Sequence, residues 1–251
     1  MRRFFVLFFL ILATLSSCGG TSNGGRKVGV DASWYPLQMG GLDNNVTAFS
    51  TELLTDIGRS QKIPFVKVTV NWDDLMEGLQ KDKYEAILSS MPPYIFNQKD
   101  FDFSELYLPL GPVLVVRPDS SIHSLNNLNG QEIAVIAGSG NDLLLEKSEG
   151  VLIRYYTSIP QALDDIVNET IDGAVIDILT AVAYCRDLYQ NKIKVATPPL
   201  NENGLRLITK HNTATDLIKG FNAGLKKLKK NGSYDKLLAK WQLDEVCSPS
   251  K

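Results

Sequence analysis

The sequence predicts an α/β fold made of two series of alternating strands and helices. Short apolar runs recur along the chain, and amphipathic segments with a helical period separate them. Pro198, Pro199 and the Asn-Gly pair at 203–204 interrupt this alternation before the last strand. Such alternation is typical of mostly parallel sheets covered by helices on both faces. The two series therefore predict two lobes, each with a central sheet flanked by helices.

The first series is read from its periodicity. The run 65–70 alternates with period two, as expected for a half-buried strand. The segment 73–79 carries acids in its first turn, which favours a short helix there. The predicted elements in order are strand 27–32, helix 48–57, strand 65–70, helix 73–79 and strand 86–90.

The second series begins at the apolar run 113–116. Ser158 and Gln161 form a capping box, with Pro160 in the first turn of the helix that follows. The remaining predicted elements are strand 132–138, helix 142–149, strand 152–156, helix 158–167, strand 173–178, a helix to about 189, strand 204–210, and helices 215–230 and 234–241.

Composition limits the possible functions. The chain has 251 residues, enough for about two domains, with 44% apolar and 22% charged residues. The net charge of −2 and the lack of a basic stripe give no reason to expect nucleic acid as a partner.

The N-terminus carries an export signal. Arg2 and Arg3 precede an apolar run at 4–12 that is too short to span a bilayer. The run ends in Leu-Ser-Ser-Cys at 15–18, which resembles a bacterial lipoprotein box. This predicts a signal peptide at 1–17, lipidation of Cys18, and a Gly-rich lipidated tether at 18–26 on the periplasmic side of the cell envelope. The alternative is an ordinary signal peptide with a chance cysteine.

The residues suited to catalysis or metal binding are few. His123 and His211 both lie in polar, loop-like contexts, so a His-based catalytic site or a zinc site is not expected. No cofactor is predicted. Cys185 and Cys247 either pair in an oxidising compartment or stay as two buried thiols, and their spacing does not decide between these.

Polar residues collect where predicted strands end. The pairs at 89–90 and 138–139, and Asp177, all follow apolar strands. Ligands in such sheets bind outside the carboxyl ends of the strands, so these positions predict a binding cleft.

The chain resembles the bacterial extracellular solute-binding proteins of the polar amino-acid type, the receptors of ATP-driven importers. The resemblance covers residues 27–243. It rests on the order and spacing of VGVDASWYPL (28–37), NWDDLMEGLQKDKYEAILSSM (71–91), FDFSELY (101–107), the segment 113–140, DGAVID (172–177) and LKKLKKNGSYDKLLAKW (225–241).

The resemblance implies a type II periplasmic-binding-protein fold that closes on its ligand. Lobe one would comprise 27–110 plus 203–245 and lobe two 113–199, joined by crossover strands near 111–113 and 200–204. The implied function is that of a monomeric receptor, not an enzyme, which delivers an amino acid or related amine-bearing solute to the membrane permease of an ABC importer. The alternatives are a dehydratase on the same scaffold and a solute-sensing lipoprotein.

The resemblance also implies a set of ligand-binding residues. Trp34 and Trp72 fall where the family stacks aromatic rings on the ligand, although core packing would also explain them. Asp177 matches the acid that receives the α-ammonium of the ligand, a role compatible with a helix N-cap. Asp31 matches a ligand carboxylate, or alternatively caps local amides. The implied set is Asp31, Trp34, Trp72, Ser89, Ser90, Met91, Asn97, Ser139, Gly140, Asn141 and Asp177.

One position departs from the family pattern. Relatives place an arginine that grips the ligand carboxylate where this chain has Asn97, after Met-Pro-Pro-Tyr-Ile-Phe at 91–96. Two substitutes are available: amides at the helix N-terminus after 138–141, and Lys99, which would otherwise be a solvated surface lysine. Arg206 is a weaker candidate. We therefore expect a ligand with a cationic amine and a carboxylate that is weakly held, modified or absent.

Overall fold

The computed structural model describes residues 24–31, 33–34, 37 and 39–244. The predicted signal peptide, Cys18 and Cys247 lie outside this part of the chain, so the lipidation and the Cys185–Cys247 pairing stay predictions. Within the described residues, no helix combines the length and the apolar character needed to cross a bilayer.

Strands and helices alternate along most of the described chain. The strands are β1 (Arg26–Val30), β2 (Phe65–Thr69), β3 (Ala86–Ser89), β4 (Phe101–Phe103), β5 (Leu108–Pro109), β6 (Pro112–Val116), β7 (Glu132–Ile136), β8 (Leu152–Tyr156), β9 (Gly173–Asp177), β10 (Lys194–Val195) and β11 (Gly204–Lys210). The helices are α1 (Asp43–Gln61), α2 (Trp72–Gln80), α3 (Asp142–Leu145), α4 (Ile159–Val167), α5 (Ile178–Asp187), α6 (Thr215–Lys230) and α7 (Ser233–Lys240).

The strands form two sheets, which confirms the α/β class with two central sheets. The first has the order β2-β1-β3-β11-β4, with β5 paired to β11, and the second has the order β10-β6-β9-β7-β8. Each predicted lobe therefore contains one sheet, while its exact boundaries stay a prediction.

The sheets are mixed, and the prediction of mostly parallel sheets is wrong. In the first sheet β1 runs parallel to β2 and β3, but β11 runs antiparallel to β3, β4 and β5. In the second, β7 is parallel to β8 and β9, while β6 is antiparallel to both β9 and β10. The antiparallel strands lie next to the crossovers, where the chain enters a sheet without a βαβ connection.

Helices cover both faces of the first sheet, because successive apolar side chains of its strands point to opposite faces. Ile87 and Ile208 belong to a cluster with Leu75 and Leu79 of α2. Leu88 faces the opposite side, in the larger core that includes α1, α6 and α7. Neighbouring residues of a strand point to opposite faces, so this apolar run requires helices on both sides.

The second sheet is built in the same way. Leu114 and Val116 pack with Leu128 and Leu145 on one face. Val113 and Val115 lie on the other face, in the core that contains buried residues of α4 and α5.

Helix α3 is much shorter than predicted. It forms one turn, Asp142–Leu145, where the sequence predicts a helix over 142–149. Only Leu145 of this turn is buried, and such a short segment needs more buried surface to extend as a helix. The predicted capping box of α4 is not formed, because Ser158 occupies the N-cap position but its side chain makes no capping hydrogen bond.

Two hydrogen-bonded crossovers join the sheets, near the predicted positions. The amide of Leu110 donates to the Asn203 carbonyl at 2.9 Å, and that of Leu200 donates to the Pro112 carbonyl at 2.8 Å. Gly111 lies between these bonds. A Cβ atom at this position would come within 2.4 Å of Asn201 Oδ1 and 2.9 Å of the Asn201 carbonyl oxygen. The two crossovers can approach this closely only because residue 111 has no side chain.

We therefore expect Gly111→Ala to lower the free energy of unfolding by about 1–3 kcal/mol, the usual cost of forcing an added group into packed surroundings. Urea denaturation followed by circular dichroism measures the change. Gly24→Ala is the matched control, because a Cβ atom there meets nothing within 4 Å. Equal denaturation midpoints for the two variants would contradict the proposed contact.

Candidate functional site

A crevice lies at the carboxyl ends of β1 and β3, where the strand-end rule places ligands. Five of the predicted residues line it together with Leu75 and Leu88, and it is too narrow to admit a water molecule. These five are Asp31, Trp34, Trp72, Ser89 and Ser90.

Asp31 is buried and bonded to its own loop. Its carboxylate accepts a hydrogen bond from the Ser33 amide at 3.2 Å and another from the Ser33 hydroxyl. These bonds agree with the interpretation that Asp31 caps polar groups of its own loop. A ligand contact would use the remaining acceptor capacity of the carboxylate.

The two tryptophans differ in environment. Trp34 is 2% exposed, has a positive φ of 55°, and donates its indole N–H to Thr47 Oγ1 of α1 at 2.9 Å. Trp34 is therefore packed in the core. Because it also lines the crevice, its role in ligand binding stays a prediction. Trp72 begins α2 and is half-buried, packing against the cluster around Leu75.

The chain after β3 folds back on itself. Ser89 Oγ accepts a hydrogen bond from the Met91 amide at 3.2 Å. Pro92 and Pro93 follow and have no backbone N–H. The Pro92 carbonyl accepts bonds from the Tyr94 amide and from Asn97 Nδ2, both at 2.9 Å. Asn97 therefore braces this turn through its side chain.

The second lobe contributes a carboxylate beside an amide. Asp177 ends β9 and lies at the N-cap position of α5, yet its side chain makes no capping bond to that helix. Burial raises the pKa of the Asp177 carboxyl, and a hydrogen bond from the Asn141 side chain partly offsets this rise. Asn141 follows β7, which is parallel to β9, so the two strand ends bring the pair together.

A wider cleft of about 490 Å³ lies between the two lobes at the crossovers. Ser139, Gly140 and Asn141, all predicted site residues, line it. Its other lining residues, which sequence reasoning did not place in the site, are Pro92, Pro93, Tyr94, Leu143, Leu144, Asn201, Glu202 and Asn203. For Pro92, Pro93 and Tyr94, the only sequence feature that could have indicated the cleft is the Pro-Pro-aromatic run that they form.

The structure thus divides the predicted set into two groups. Five first-lobe residues meet in the crevice, and Ser139, Gly140 and Asn141 of the second lobe meet at the cleft. Met91, Asn97 and Asp177 line neither space. Met91 and Asn97 belong to the turn that forms one lip of the cleft, and Asp177 is bonded to Asn141, which lines it.

The three candidates for a carboxylate anchor are placed unfavourably for that role. Lys99 is exposed at the end of a 3₁₀ turn, Asn97–Lys99. Arg206 pairs with Ser89 in the β3–β11 ladder and is 8% exposed. Its guanidinium donates to the carbonyls of Ser104 at 3.2 Å and Glu202 at 3.4 Å, and burial lowers its pKa. The third candidate, a helix N-terminus, is only the single turn of α3.

Comparison with known proteins agrees with this architecture. Residues 27–244 match the profile of the bacterial extracellular solute-binding proteins, family 3. The arginine-binding extracellular protein ArtP of Bacillus subtilis is 25% identical over 96% of this chain and 98% of its own length. A probable histidine-binding protein of Campylobacter jejuni is 26% identical over 87% of this chain and 85% of its own length.

Among solved structures, the L-cystine solute receptor of Neisseria gonorrhoeae in its unliganded open conformation has a similar fold. Its TM-score is 0.71 at 21% identity, over 88% of this chain and 94% of that one. The two-sheet architecture and the resemblance noted in the sequence are thereby confirmed. Since the family profile spans residues 27–244, the chain belongs to the bacterial extracellular solute-binding proteins, family 3.

Proposed function

We propose that this solute-binding protein captures an amino acid or a related amine-bearing solute outside the cytoplasm and delivers it to the membrane permease of an ABC importer. The observation that carries the proposal is the partly buried Asp177 carboxylate, bonded to Asn141 at the wall of a cleft that both lobes line. A carboxylate in this position favours a guest with an ammonium group.

The size of the cleft and the relatives support this proposal. About 490 Å³ is within the usual range for a small-molecule site. The named relatives are an arginine-binding protein and a probable histidine-binding protein. Contacts from both lobes and a hinge of two crossovers suit a closing motion driven by ligand, because closure requires a ligand that contacts both halves.

The remaining parts of the proposal concern location and chemistry. We place the protein in the cell envelope, held to the membrane through a lipid on Cys18, and acting as a monomer. We propose binding without a catalytic step, since the family is one of solute receptors.

Native mass spectrometry of the purified protein tests the function. We expect a co-purified solute of low mass, or binding of members of an amino-acid and amine panel. A ligand at 100 times its Kd stabilises the folded state by about 2.7 kcal/mol. This corresponds to a rise in Tm of roughly 5–10 °C for a chain of this size. No adduct and no Tm shift with any member of the panel would overturn the proposal.

A further inference from the structure

The charges around the site are of one sign. Of the described residues that line the crevice or the cleft, only Asp31 and Glu202 carry a charge, and both are acids. Asp177 adds a third carboxylate through its bond to Asn141, which lines the cleft. Acidic groups therefore lie in both lobes and at the crossover, and Glu202 is the one that lines the wider cleft.

Arg206 and Lys99 line neither the crevice nor the cleft, although Arg206 pairs with Glu202 and so offsets the charge of that acid. The Arg206 guanidinium donates to the Ser104 and Glu202 carbonyls, Nη2 lies 3.6 Å from the Glu202 carboxylate, and the buried Nε has no hydrogen-bond partner among the described residues. Lys99 is exposed and lines neither space. An anionic group on the guest would have no counter-charge among the described lining residues.

Backbone donors are also scarce at the lip of lobe one. Pro92 and Pro93 have no N–H to offer. The Met91 amide donates to Ser89 Oγ, and the Tyr94 amide donates to the Pro92 carbonyl. A carboxylate placed against this lip would lose its hydration without gaining hydrogen bonds.

In the facing wall of lobe two, two amides are already bonded, whereas the Gly140 amide has no hydrogen-bond partner among the described residues. The Ser139 amide donates to the Ile136 carbonyl at 3.1 Å, and the Asn141 amide donates to Ser139 Oγ at 3.2 Å. Leu143, which is 62% exposed, and Leu144 add apolar surface to this wall. The cleft thus places apolar surface and several already bonded amides opposite each other, and the charged side chain among its described lining residues is the acid Glu202.

We propose that the solute is an organic cation with no free carboxylate, such as the decarboxylated or amidated form of an amino acid. This inference rests on the proposed function and names its substrate class. An ammonium group gains charge-assisted bonds from the acidic groups. A carboxylate buried without a cationic partner would cost several kcal/mol.

Matched ligand pairs test the inference by isothermal titration calorimetry. Each pair shares a side chain and differs at the carboxylate: L-arginine with agmatine and with L-argininamide, L-histidine with histamine, and L-lysine with cadaverine. We expect the form without a carboxylate to bind at least tenfold more tightly in each pair that binds. If the free amino acid binds as tightly or more tightly, the inference fails and the proposed function stands. If no member of any pair and no compound of the wider panel binds, the proposed function fails as well.

A gain of carboxylate binding provides a second test. Pro92→Ser with Asn97→Arg adds a backbone N–H and a guanidinium to the lip. We expect this double variant to shift the Kd ratio within a pair at least tenfold toward the free amino acid, and Asn97→Arg alone to shift it in the same direction. Ile95→Arg is the control, because it adds the same charge to the same turn at a side chain that is 83% exposed. A ratio no different from that of Ile95→Arg would overturn the inference.

Discussion

Asp177→Asn is expected to weaken solute binding by about 2–5 kcal/mol, which amounts to a loss of roughly thirtyfold or more. The substitution keeps the size of the side chain and removes the charge that would receive the ammonium group. The α5 helix should tolerate it, because the Asp177 side chain makes no capping bond and asparagine suits an N-cap position. Isothermal titration calorimetry with the solute identified by mass spectrometry measures the effect.

The same variant should fold at least as stably as the wild type. Burial raises the pKa of Asp177, so its charged form is disfavoured in the empty folded protein. A carboxyl with a raised folded pKa contributes stability at low pH, and this contribution is lost as the pH rises through that pKa. At neutral pH the amide lacks the buried charge, so we expect an unchanged or higher Tm. Loss of binding with a retained Tm would separate the role of Asp177 from a folding defect.

The pH dependence of binding follows from the same carboxyl. A cationic guest needs the ionised form, so affinity should fall as the pH drops through the raised pKa, by up to tenfold per unit below it. Asp177→Asn should abolish this dependence. Asp119→Asn is the matched control for charge, because it removes a carboxylate of the same lobe that is 82% exposed. Wild-type affinity in Asp177→Asn would contradict the amine-binding role.

Much of the fold could be predicted from the sequence because its strands are short, apolar and locally defined. The strands 152–156 and 204–210 and the helix 215–230 have the predicted bounds. Their side chains repeat with the period of the element they form, and local information is then sufficient. The mixed strand directions could not be read in this way, because β11 joins the first sheet only after the chain has returned through the second crossover.

The elements that were missed depend on distant partners. β4 and β5 contain three and two residues, and both pair with β11, about a hundred residues further along the chain. Runs this short have no measurable period. Helix α3 was predicted too long because an apolar run, Leu143 to Leu145, suggested burial that the fold gives only to Leu145.

The candidate site also contains both residues that local sequence predicts and residues whose positions depend on distant packing. Strand-end logic found Ser89, Ser90 and Asp177, whose positions follow from the sheets. The bond from Asn97 to the Pro92 carbonyl and the place of Glu202 in the cleft depend on how the loops pack. Neither leaves a pattern in the sequence.

Tyr107→Ala is expected to destabilise the protein by about 3–5 kcal/mol, as other truncations of a large buried ring do. Tyr107 is fully buried just before the first crossover, with its ring centroid 6.4 Å from that of Phe49 and 5.9 Å from that of Phe221. Its hydroxyl donates to Ser50 Oγ at 3.0 Å, and its carbonyl accepts the Tyr234 hydroxyl at 2.6 Å. Removing the ring leaves a cavity beside the two packed aromatic rings of Phe49 and Phe221. Urea denaturation at neutral pH measures the loss.

Tyr107→Phe is the matched control, and it separates the ring from its hydroxyl. At neutral pH this variant should lose only about 1 kcal/mol, the usual contribution of one hydrogen bond. Burial raises the pKa of the Tyr107 phenol, so the folded state holds it neutral, and its stability contribution is lost as the pH rises above the unfolded value of about 10. The difference between the wild type and Tyr107→Phe should therefore shrink in alkaline solution, because only the wild type carries this titrating group. A difference that stays constant from pH 8 to pH 11 would show that the phenol is not held in the core, and a Tyr107→Ala loss no larger than that of Tyr107→Phe would show that the ring is not packed there.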